Sequence, residues 1–97
     1  MAAFIISIRY TAPLEAVDAL MADHVAWLKG NERAGHFHGW GRKVPREGGI
    51  VLATGGDRES VEALAAQDPF VIGGVAEAEV IEWAPSWLAD GLERLRG

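Results

Sequence analysis

Two residues far apart in the chain, His24 and Asp68, are of types that could move a proton between them. His24 occupies a helical position where an apolar residue is expected. Its ring is therefore turned towards a sheet or the edge of a cleft rather than to bulk water. An unperturbed imidazole titrates at about 6.5, so it takes or gives a proton near neutrality. The competing structural role is a core histidine with one ring nitrogen bonded to a neighbour. Asp68 stands directly before Pro69, which suits an N-cap with proline at N1 and Phe70–Val71–Ile72 as one buried helical turn. The two roles of Asp68 can coexist: one carboxylate oxygen caps the turn while the other accepts from an imidazole. In a catalytic triad such a carboxylate holds the tautomer and makes the ring a better base. No Ser or Cys nucleophile is evident beside the pair, which favours proton transfer over acyl transfer.

His36, His38 and Trp40 form a second cluster, spaced by two and so expected on one face of a strand. They read as a strand face lining a cleft, with substrate-binding roles for both histidines. With His24 they also offer three imidazoles to a metal ion, although His-x-His alone is a weak signal. No resident metal or cofactor is expected. Trp40 and Phe70 are candidates for an apolar pocket wall, and Arg9 or Arg42 for holding an anionic substrate group. Gly48–Gly49 and Gly55–Gly56 fit turns. Gly39 and Gly41 interrupt a strand and suggest a bulge or a close backbone approach. None has the spacing of a phosphate-binding loop.

The elements that must position these residues follow from hydrophobic periodicity. Residues 3–10 alternate, with Phe4, Ile6, Ile8 and Tyr10 on one face and Ile5, Ser7 and Arg9 on the other. After Thr11–Ala12–Pro13 the period changes: Leu14, Val17, Met21, His24 and Leu28 make a core-facing helical stripe. Residues 36–44 read as a second strand, Pro45–Gly49 as a turn, and Ile50–Thr54 as a central strand apolar on both faces. Asp57 caps a short helix carrying Val61, Leu64 and Ala65. Glu77–Trp83 is a fourth strand. Trp87, Leu88, Leu92 and Leu95 suggest an amphipathic helix over 85–96, interrupted by Gly91. The order β-α-β-β-α-β is the split βαβ pattern: a four-stranded antiparallel sheet, two helices on one face, plus the terminal helix.

Composition bounds the partners. The 97 residues fit one domain, 1–97, with a core at about 3–84. Hydrophobic residues make up 49% and include four Trp, more than so small a chain hides comfortably, and one sheet face lacks a cover. A homodimer or higher homo-oligomer is expected. The net charge is −5 and the nine Lys and Arg form no stripe, so no nucleic-acid partner is expected. There is no Cys, no signal-peptide pattern and no run near the ~18 apolar residues of a membrane span. A soluble cytoplasmic protein without a membrane partner follows.

Over residues 4 to 84 the chain resembles the YCII-related (YciI-like) domain family. The resemblance rests on His24-Val-Ala-Trp-Leu28, Gly35, Gly41, Ala65-Ala-Gln-Asp-Pro-Phe-Val71, Gly73–Gly74–Val75 and the closing Val80-Ile-Glu-Trp83. It implies a ferredoxin-like, dimeric α+β barrel related to muconolactone isomerases. It also implies a His–Asp active site falling on His24 and Asp68; one branch of the family is a dehydrochlorinase. Two departures stand out. Met21 replaces a frequent arginine three residues before the histidine, and Gly41–Arg42 replaces a usual Gly-Pro. His36 and His38 also stand where aliphatic residues are usual. The expected function is a small-molecule lyase or isomerase using the His24–Asp68 pair. The alternative is a non-catalytic ligand-binding or sensor domain with the same pocket.

Overall fold

The computed structural model describes residues 2–96. Strand β1 (Ala3–Tyr10) is followed by helices α1 (Leu14–Ala19) and α2 (Met21–Arg33), then strands β2 (Phe37–Arg42) and β3 (Gly48–Ala53). Helices α3 (Arg58–Ala66) and α4 (Pro69–Ile72) lead into strand β4 (Ala76–Trp83). The sheet is antiparallel in the order β2-β3-β1-β4, so the two strands with the most apolar faces, β1 and β3, are central. This is the expected α+β, ferredoxin-like topology.

Register separates the two sheet faces. Phe4 pairs with Ala53 and Ile6 with Val51 and Val80, all on the helix-covered face. These residues, with Val17, Leu28, Phe37, Val61 and Phe70, form the buried core. On the other face Ile5 pairs with Leu52 and Ile81, and Arg9 beside Gly48 forms an ion pair with Glu77. Ile81 remains 42% exposed there.

Two parts of the expected architecture differ. The continuous helical stripe is broken at Leu20, whose φ of −106° and ψ of 5° end α1 and start α2. Leu20 packs instead against Gly73, where a Cβ would lie 2.5 Å from its Cδ1. Leu14, at the start of the stripe, is 43% exposed. The helix expected over 85–96 reduces to a 3-10 turn at Glu93–Arg96. Pro85 and Gly91, the latter at φ +97°, leave too few residues between them to nucleate a helix, and Trp87 is exposed.

Gly48 is required by the close approach of β3 to β1: a Cβ there would stand 1.8 Å from the Ile8 carbonyl oxygen. Gly30, inside α2, has nothing within 4 Å of where its Cβ would be. Gly48→Ala is therefore expected to destabilise by about 1–3 kcal/mol through forced strand separation. Gly30→Ala is expected to stabilise by roughly 0.5–1 kcal/mol by lowering the backbone entropy lost on folding. Urea unfolding of both variants checks the pair, and equal shifts would contradict this packing.

Candidate active site

Asp68 is held before its side chain does anything. Its backbone carbonyl accepts from Val71 and Ile72, closing α4, and its own N–H reaches the Ala65 carbonyl at the end of α3. The carboxylate Oδ1 accepts from the Phe70 N–H at 3.0 Å, the expected N-cap bond. The same Oδ1 lies 2.8 Å from His24 Nδ1, across 44 residues of sequence. The cap and the imidazole bond thus converge on one oxygen rather than dividing between two. Oδ2 is buried with no hydrogen-bond partner.

Against an ionised Asp68, which can only accept, the proton of this bond would come from His24 Nδ1. His24 comes from the first turn of α2, where its N–H bonds to the Leu20 carbonyl. The break at Leu20 therefore sets where its side chain leaves the helix. The ring stacks on Phe70 with centroids 3.9 Å apart and planes 8° off parallel. Trp27 flanks it at 5.6 Å and is itself tied to α3 through its indole N–H and the Leu64 carbonyl. The His24 side chain keeps 12% exposure, whereas that of Asp68 keeps 1%.

That residual exposure opens on a cavity of about 310 Å³ between α2 and the β1–β3–β2 part of the sheet. The volume is at the lower end of the range for small-ligand sites. Ile8, Met21, Val25, Leu28 and Val51 supply apolar wall; Tyr10, Trp40, Arg42 and Arg46 supply polar or aromatic groups. Arg46 forms an ion pair with Asp18 of α1, and its guanidinium carbon lies 5.9 Å from the Tyr10 ring centroid. The hydrogen bond that Arg46 donates to Asp18 holds the Arg46 pKa above its usual value, with the Tyr10 hydroxyl adding to the effect.

The residues named from sequence are distributed unevenly around this cavity. His24, Trp40 and Arg42 line it, and Asp68 sits behind His24. Phe70 is 1% exposed and backs the imidazole instead of forming the pocket wall. Arg9 is on the opposite sheet face, because strand alternation places it away from Ile8, which does line the cavity. His36 and His38 are not among the lining residues. His36 precedes β2, and its Nδ1 would be 3.2 Å from a Cβ on Gly55. His38 Nε2 lies 2.7 Å from Thr54 Oγ1. The cause is a bulge between Phe37 and Gly39 in the pairing with β3. The extra residue lets Phe37 and Trp40, three apart, face the helices together, and it separates Trp40 from the histidine spacing. The three imidazoles do not converge, and among the described residues no group of three His, Asp or Glu could hold a metal ion.

Tyr10 and Arg46 escaped the sequence reading. Tyr10 continues the apolar face of β1 and reads as core. Arg46 sits in an ordinary Pro-Arg-Glu-Gly turn, and nothing in its spacing reports which wall the turn folds onto.

A ferredoxin-like sheet with a histidine–carboxylate pair at the edge of a small cavity defines the structural class. Within it the chain belongs to the YCII-related domain family, whose sequence model matches residues 1–84. No curated protein matches it in sequence. Among solved structures it is similar to 5-chloro-2-hydroxyhydroquinone dehydrochlorinase (TftG) from Burkholderia phenoliruptrix AC1100, determined with 2,5-dihydroxybenzoquinone. The TM-score is 0.70 at 17% identity, covering 86% of this chain and 93% of that one, a likeness of fold. No helix among the described residues is long and apolar enough to cross a membrane.

Burial, together with the nearby Arg94 and His36 charges, holds the His38 pKa below its ordinary 6.5. The folded chain thus binds this proton less readily than the unfolded chain does. The stability from neutral His38 is fully present above about pH 6.5 and is lost as pH falls below it towards the folded pKa. His38→Gln should therefore flatten the fall in Tm between about pH 7 and pH 5. An unchanged slope would mean that His38 is not the group responsible.

Proposed function

We propose that the protein is a small-molecule lyase or isomerase in which His24 is the proton-transfer group and Asp68 its positioning partner. The observation that carries this is the 2.8 Å bond between His24 Nδ1 and a fully buried Asp68, beside a cavity that His24 lines. Asp68 keeps Nδ1 protonated, so the Nε2 lone pair is the basic position available to a bound molecule. When Nε2 takes a proton, from carbon or on the way to a departing group, the Asp68 carboxylate balances the new charge at short range. Phe70, stacked on the ring, keeps it from rotating and excludes water from one face. Cavity residues, in this scheme, bind and orient: Trp40 and the apolar wall hold the body of the substrate and Arg42 an acidic group. Membership of the YCII-related family, and fold likeness to a dehydrochlorinase acting on a small ring compound, support the same class.

The test uses small molecules that copurify with the protein, identified by mass spectrometry and returned to it in D2O. Wild type is expected to convert one of them or to exchange one of its C–H positions. His24→Ala should lose about 10²–10⁴-fold in that rate while still binding. A metabolite that binds but is never altered or exchanged would assign the cavity to ligand sensing and sink the enzyme reading. Nitrogen-15 NMR gives a second check, with His24 expected as the Nδ1–H tautomer.

The working assembly in this proposal is a homodimer formed through the open sheet face. Support comes from Ile5, Leu52 and Ile81, which register places side by side there, and from the doubly apolar β3. Light scattering should return about twice the 10.4 kDa chain mass, and Ile81→Lys should shift it towards one. A clean monomer of the wild type at micromolar concentration would contradict the assembly.

A further inference from the structure

The charges around the cavity are one-sided. The chain as a whole carries −5, yet among the described residues none of those lining the cavity is an Asp or a Glu. Two arginines do line it, both from the β2–β3 hairpin: Arg42 at the end of β2 and Arg46 in the connection to β3. Their circumstances differ. Arg42 has no ion-pair partner among the described residues. Arg46 is braced from behind by Asp18 and lies over Tyr10, and its side chain is 29% exposed. Asp18 can occupy only part of a guanidinium that carries five N–H donors, so a bound group still finds donors on Arg46. His24, the only other titratable group on the wall besides Tyr10, comes from α2 rather than the hairpin.

We infer that the cavity takes a small organic anion, with a carboxylate on the Arg42 and Arg46 guanidinium groups and an apolar body along Trp40 towards His24. Planar guanidinium donors match a carboxylate, and an apolar surround strengthens the contact by excluding water. Of the two, Arg42 is the exposed recruiter, unpaired among the described residues, and Arg46, with its direction set by Asp18, is the positioning group. The volume of about 310 Å³ is on the order of ten water molecules, enough for one substituted ring or a branched acid of similar size. This inference rests on the same cavity as the proton-transfer proposal and names the class of its substrate.

The probes are benzoate and its neutral isostere benzamide, titrated into the full chain and followed by protein NMR and calorimetry. Benzoate is expected to bind with a dissociation constant of about 1 mM, and to shift the Trp40 indole and His24 resonances. Benzamide should bind at least about tenfold more weakly, and Arg42→Gln and Arg46→Gln should each weaken benzoate by about tenfold. Affinity should fall as salt is raised. Arg42→Gln has no ion pair to lose, so it stays informative if Arg46→Gln fails to fold. Equal affinity for benzoate and benzamide would overturn the inference. So would undiminished benzoate binding in the Arg42→Gln variant, or no benzoate binding at roughly ten times the expected constant. None of these results touches the tautomer of His24 or turnover of a copurified molecule, so the two proposals fail separately.

Discussion

The site depends on a single carboxylate oxygen. Asp68 Oδ1 accepts the Phe70 N–H, which starts α4, and faces His24 Nδ1, which comes from α2. One atom therefore ties the last helical turn before β4 to the helix that carries the imidazole. A buried carboxylate is tolerated only where donors and opposite charge compensate for lost water. Here the compensation is lopsided, because Oδ2 has no partner. An unmet buried acceptor costs on the order of 1–3 kcal/mol. Placing the second donor on Oδ2 would have lowered that cost. The geometry instead concentrates both bonds on the oxygen that faces the ring. Such an arrangement is poor as a pure stability device and sensible as a means of holding one ring in one tautomer.

Much of this architecture was legible in the residues. Period-2 alternation located β1, and the doubly apolar character of Ile50–Thr54 placed β3 centrally, which the order β2-β3-β1-β4 bears out. Asp57 and the Asp68–Pro69 pair announced their caps because capping chemistry is local: the bonded atoms are two or three residues apart. Local rules failed where tertiary contacts decide. Helical spacing from Leu14 to Leu28 contains no sign of the break at Leu20, whose side chain packs against Gly73, more than fifty residues away. The C-terminal segment has helical spacing of its apolar residues but no surface for Trp87 to cover, and periodicity without a partner does not make a helix.

The β2–β3 hairpin shows the limit most clearly. A strict alternation would have put His36, His38 and Trp40 on one face. One bulged residue at His38 is enough to change which side chains share a face, and it brings Trp40 into register with Val51 on the cavity side. The glycines at 39 and 41 hint at an irregularity without saying which side chain it re-aims. Arg46 is equally opaque. Only the fold reveals that the turn lies against Tyr10 and α1, close enough for Asp18 to hold the guanidinium.

The distribution of departures from the family pattern bears on what can be transferred from relatives. Of the positions that depart from what the family resemblance implies, Met21 and Arg42 line the cavity, whereas His36 and His38 do not. His24 and Asp68, which match the pattern, form the hydrogen-bonded pair at its edge. In the proposed scheme the proton-handling pair and the two arginines sit on separate elements, α2 and the turn before α4 against the β2–β3 hairpin. One set is anchored by backbone bonds and burial, so its geometry follows from the fold. The other projects from a hairpin, where a substitution alters the lining without disturbing the core. On that scheme a substitution in the hairpin would alter what the cavity holds while leaving the His24–Asp68 pair in place.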